Sequence, residues 1–181
     1  MQKIMFNDKY GLTQVVLEGR KTQTRRTFLK SGEETLLDGI TPEYLISVRS
    51  RYKVGETVAI AQPYVDITPQ VDWVKCMIRK ETLGWNNKMF VRAEDMTHHI
   101  RITKIRIERL QDIKSEDCLK EGLWRSGDVG LEGTTYWYHG LSNSSFRTPQ
   151  EAYASLIDRI SGKGTWASNP YVFVYDFELT N

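Results

Sequence analysis

Cysteine is nearly absent: the 181 residues hold two, Cys76 and Cys118, far apart and in no C-x-x-C pair. That excludes a disulfide framework or a cysteine zinc site as the basis of folding and fits a reducing cytoplasm. Long apolar runs are missing too. No stretch approaches the roughly 20 residues that cross a bilayer, and Met1–Asn7 lacks a signal peptide's apolar segment, so a cytoplasmic location and no membrane partner are expected. The three histidines, His98, His99 and His139, show no metal-ligand spacing. His98 and His99 would point to opposite faces of a strand, so no metal and no cofactor are expected. A strong charge of one sign is also lacking, and the net charge of +2 is too small for a general nucleic-acid coat.

What is present suffices for one core. Hydrophobic residues at 40% and aromatics at 11%, in a chain of this length, predict a single domain over 1–181, within which 29–53 reads as an excursion. Lys3–Phe6 reads as a strand, and Asn7 or Asp8 as the cap of a helix that carries Leu12, Val15 and Val16 and ends at Gly19. Thr41-Pro42 opens a short helix; Thr57–Ala61 is a strand stopped by Gln62-Pro63; residues 64–96 read as β-hairpin material.

His99–Leu110 is a long strand. Ile100 and Ile102 have the opposite parity from Ile105 and Ile107, so a bulge near Thr103-Lys104 is needed to turn all four inward, leaving a basic outer face. Ser115 is expected to cap a short acidic helix closed by Gly122, and 123–147 to form a surface loop or lid. Thr148-Pro149-Gln150-Glu151 is a capping box before the stripe Ala152, Tyr153, Leu156, Ile157 and Ile160. The final strand, Tyr171–Leu179, has its odd-numbered aromatic and leucine residues on one face. Short strands that do not alternate strictly with helices predict a mixed α+β sheet curled into a small barrel with helices packed on it.

Two motifs fail on inspection. Gly162-Lys163-Gly164-Thr165 lacks the upstream glycine of a phosphate loop, since Ile157 stands there, and Gly140–Ser144 lacks the second glycine of a nucleophile elbow. The basic run Arg20-Lys21-Thr22-Gln23-Thr24-Arg25-Arg26 is more informative. It sets an amine and a hydroxyl among guanidinium groups at the end of a helix.

From Glu18 to Arg26 the chain resembles the ASCH domain family, a branch of the PUA-like β-barrels with a Gly-Arg-Lys-Thr-x-Thr signature. Val54–Val58, Ile100–Leu110 and Ser115–Gly122 resemble further blocks of that family. Ile160–Trp166 through Asn169-Pro170 is similar to the larger ASCH proteins of phages and prophages, and against the family's small enzymes the resemblance implies a single ASCH domain with insertions near 29–53, 64–96 and 123–147. The resemblance implies an amidohydrolase acting on N4-acylated cytidine or a related modified nucleoside, with Lys21, Thr24 and Glu121 catalytic. Glu116 and Asp117 are the neighbouring acids that could stand in Glu121's place. The family also implies an alternative: an RNA-binding or RNA-cleaving protein using the same cleft.

The chemistry has one requirement. A threonine hydroxyl attacks only when a base takes its proton, and a lysine is that base only when neutral. Burial and the charges of Arg20, Arg25 and Arg26 would push Lys21 toward the neutral form, and the same arginines would hold a phosphate or a developing oxyanion.

Overall fold

The computed structural model describes residues 1–28, 39–69, 72–126, 134–140 and 145–180. Five strands form one mixed sheet: β1 (Lys3–Ile4), β2 (Gln23–Thr27), β3 (Thr57–Ile60), β4 (His99–Arg109) and β7 (Tyr171–Thr180), in the order β1-β3-β4-β7-β2. Only β1 and β3 run parallel. Strands β5 (Trp124–Arg125) and β6 (Tyr136–Trp137) form a separate antiparallel pair. Neither sheet closes on itself, so the expected barrel is an open sheet among the described residues.

The open sheet is nonetheless sharply curled. Its first and last strands would lie about 19 Å apart if the five were flat, at roughly 4.8 Å per neighbour. Yet the Arg26 guanidinium of β2 donates to the carbonyl of Met5, just past β1, at 2.5 Å. A side chain thus spans the gap that backbone pairing leaves.

The bulge in β4 lies where the isoleucine parity requires it. The register shifts between Ile102 and Lys104, after which Ile105 and Ile107 pair with Tyr175 and Phe173, on the face already used by Ile100 and Ile102. Strand β7 departs from the one-faced expectation. Val172 and Val174 are as buried as Phe173 and Tyr175, because α5 (Ser115–Lys120) and α6 (Pro149–Ser161) cover the even-numbered face. Phe6, Phe28 and Tyr52 cover the odd one, packing on Phe177, Phe173 and Tyr175.

Several local expectations are corrected. Residues 64–96 form helices, α3 (Tyr64–Ile67) and α4 (Trp73–Lys80), with two short 3-10 turns after them. Asp72 caps α4 by accepting from the Lys75 amide; elements of four to eight residues are too short to show a helical period in sequence. Asn7 caps a 3-10 turn, Asp8–Tyr10, and Gly11 at φ +63° breaks the chain before α1 (Leu12–Leu17). Ser115 is the first residue of α5 and not its cap; its hydroxyl bonds the Gln150 side chain at 2.9 Å.

Helix α2 (Pro42–Arg49) starts at Thr41 as expected, and the Thr148 capping box of α6 forms in full. A further turn of helix, α7 (Thr165–Ser168), leads into β7. Part of the expected lid is core: Tyr138 is buried edge-on against Tyr10. Residues 29–38, 127–133 and 141–144, from the proposed excursion and lid, lie outside the described residues.

Candidate functional site

Three local constraints place Lys21. Gly19 takes φ +73° at the end of α1, and the amides of Arg20 and Lys21 both donate to the Val15 carbonyl, which turns the chain back on the helix. The Thr22 amide then bonds the Lys120 carbonyl at 3.0 Å, tying the start of β2 to the end of α5. Gly122 permits that approach. It sits at φ +100°, and a Cβ there would stand 3.2 Å from Val15 and 3.5 Å from Lys21.

Lys21 is almost wholly buried, and its ammonium donates three bonds: to the Gln23 carbonyl at 2.8 Å, the Glu121 carbonyl at 2.9 Å and Glu121 Oε2 at 2.6 Å. Burial lowers its pKa, Glu121 pulls the other way, and Arg26 and Arg25 push with burial; the net direction is down. The second oxygen of Glu121 accepts from Arg25 at 3.0 Å. One carboxylate therefore faces two buried cations.

Arg25 is not open to a phosphate. Its side chain is fully covered and also bonds Glu108 at 2.8 Å and the Gln23 side chain at 2.6 Å. Burial alone would lower the Arg25 pKa, but Glu121, Tyr153 and Glu108 together raise it, so its charge is permanent. The network continues through Arg106, which pairs with Glu108, Asp117 and Asp176 at 3.0, 3.1 and 2.7 Å. The register explains the cluster: Arg25 and Arg106 both lie opposite Val174, so three strands bring their polar side chains onto the face beneath α5 and α6. The basic outer face expected for β4 is to this extent neutralised by acids from other elements.

Beside this network opens a cavity of about 590 Å³, lined by the chain just past β1, by β2 and by the end of α6. Lys21, Thr24, Glu121, Arg25 and Arg26 all reach it; Arg20 does not. Arg20 instead pairs with Glu18 at 2.8 Å and stacks on the Trp124 ring at 3.4 Å. The Thr24 hydroxyl makes no hydrogen bond among the described residues although the residue is 5% exposed. Glu116 and Asp117 are not at the cavity.

Tyr153 also lines it, and sequence reasoning missed its role. The capping-box pattern marks Tyr153 as core, which it is at 1% exposure, but its hydroxyl has no partner among the described residues. Burial and Glu121 push its pKa well above the usual tyrosine value, so it remains a proton donor. Ile157 and Ile160, expected in the core, form part of the cavity wall. Cys118 lies beneath the network with its thiol pushed up to about 12 by burial. No cluster of three or more His, Cys, Asp or Glu side chains suited to a metal forms among the described residues, and no helix there is long and apolar enough to cross a membrane.

No protein-family model matches the chain, and no curated protein or solved structure is significantly similar to it.

Proposed function

We propose that this cavity is the site of an ASCH-type amidohydrolase that acts on N4-acylated cytidine or a related modified nucleoside. The observation that carries the reading is the Thr24 hydroxyl, without a partner among the described residues, lining the same cavity as the buried Lys21–Glu121 pair. A cavity of about 590 Å³ is within the range for a ligand of nucleoside size. The strong curl of the sheet, bridged by Arg26, supports a PUA-like ancestry with an unclosed seam.

In this reading Lys21, once neutral, takes the Thr24 proton as Oγ1 bonds the acyl carbon. The carbon–N4 bond then breaks, and N4 leaves with a proton passed back from Lys21 through Glu121, releasing cytidine. Water hydrolyses the threonine ester to a carboxylic acid and restores the hydroxyl. Tyr153 donates to the oxyanion of each tetrahedral intermediate, a task first assigned to Arg20 and Arg25, which pair with acids, and to Arg26, which bonds the Met5 carbonyl. Lys21 must first release one of its three bonds, which makes its resting state a proton store.

The RNA-binding alternative requires cations that face a phosphate, and the Arg20 and Arg25 pairs with acids weaken it at this segment. The direct test is to incubate the protein with N4-acetylcytidine and follow cytidine by chromatography. Release by the parent and none by Lys21→Ala supports the mechanism, whereas equal release by both removes it.

A further inference from the structure

A second cavity, of about 530 Å³, adjoins the first and shares Met5, Arg26, Thr27 and Met89 with it. Its charged lining residues among those described are Lys3, Arg26, Arg49 and Arg51, and no carboxylate joins them. This contrasts with the Lys21 network, where every cation meets an acid. Lys3 donates to the carbonyls of Lys88, Met89 and Val91, and Arg26 to that of Met5; these partners are neutral, and neither cation pairs with a carboxylate among the described residues. Arg49 and Arg51 are exposed, and neither guanidinium has an acid partner among the described residues.

Four cations around one recess repel one another, and that repulsion is relieved by an anion. The floor has a different character. Phe28, half-buried, stacks on Phe173 at 4.1 Å between ring centres, and Met5 and Met89 complete an apolar surface. A cation rim over an aromatic floor suits a ligand that joins a phosphate to a planar ring.

We infer that this second cavity binds a nucleotide, its phosphate held by Arg49, Arg51 and Arg26 and its base laid against Phe28. Arg26 lines both cavities and lowers the Lys21 pKa, but Lys3, Arg49 and Arg51 line only the second, so binding there is tested apart from the chemistry proposed for Lys21. The nucleotide is either free or one unit of a single strand; both present the same phosphate and base.

Calorimetry with CMP, cytidine, inorganic phosphate and a short single-stranded oligocytidylate tests the inference. CMP should bind at least about tenfold more tightly than cytidine or phosphate, and the exposed-residue variant Arg49→Ala/Arg51→Ala should lose about tenfold or more of that affinity. An oligocytidylate that binds tighter than CMP, with affinity falling as salt rises, assigns the strand as the source; equal binding assigns the free nucleotide. Cytidine matching CMP, phosphate matching CMP, or a double variant that binds as the parent does would each overturn the assignment. Since cytidine chemistry is assayed with an unphosphorylated substrate, a protein that binds CMP but leaves N4-acetylcytidine intact refutes the catalytic proposal alone.

Discussion

Lys21 and Glu121 are 100 positions apart in the chain and meet through two hydrogen bonds, the amine giving one proton to the Glu121 carbonyl at 2.9 Å and another to its carboxylate at 2.6 Å. The pair is almost completely buried on both sides. A contact of this kind gains little over an apolar pair of the same shape, yet is costly to break from one side. Its presence at the wall of an open cavity points to a use beyond stability.

Removing the carboxylate charge should therefore be expensive. Glu121→Gln leaves Lys21 and Arg25 facing one neutral amide, and the expected loss is about 3 kcal/mol of unfolding free energy. Urea unfolding with an unchanged denaturant dependence would measure it, and a loss near zero would show that water already reaches the pair.

Thr24→Val should do the reverse. The hydroxyl has no partner among the described residues, so an isosteric methyl leaves stability within about 0.5 kcal/mol of the parent. Acyl transfer should vanish with the nucleophile. Residual turnover at the parental rate would assign attack to water and not to Thr24.

Tyr153→Phe keeps the ring packed against Trp166 and removes only the donor. The expected result is a fall in kcat of about 10²-fold, as for other lost oxyanion donors, with KM little changed. A shift confined to KM would mean that the hydroxyl binds the ground state and the transition state alike.

The direction of the Lys21 shift fixes two pH dependences. A base must be neutral, so kcat/KM should rise with pH through the depressed Lys21 pKa and level off above it. For stability, the native state binds fewer protons than the unfolded chain between that depressed value and the ordinary 10.5, so unfolding free energy should increase with pH across this window. Denaturation midpoints of the parent and of Lys21→Met, from about pH 7 to about pH 10, should diverge, the variant lacking the alkaline gain. Parallel curves would place the amine in water.

Thiol labelling checks the packing around the network. Cys118 is fully buried with its pKa raised to about 12, and Cys76 is partly exposed, so a native sample should take up label at Cys76 alone and at both cysteines after denaturation. Rapid labelling of Cys118 in the native protein would mean that α5 opens readily.

The amino-acid sequence by itself determined the elements whose signals are local. The Thr148 capping box, the parity break in β4 and the glycine after α1 each depend on neighbours within a few positions, and each forms as the pattern requires. The convergence of Lys21, Thr24 and Glu121 on one cavity was accessible only through resemblance, since no spacing rule links positions 100 apart.

Tertiary structure alone decided which charges remain available. In sequence Arg20, Arg25 and Arg26 are equivalent members of one basic run. Folding stacks Arg20 on Trp124, buries Arg25 among acids from β4 and α5, and leaves only Arg26 at the seam between two cavities. The reason is physical: a side chain's effective charge depends on the partners and dielectric around it, and those arrive from strands and helices distant in the chain.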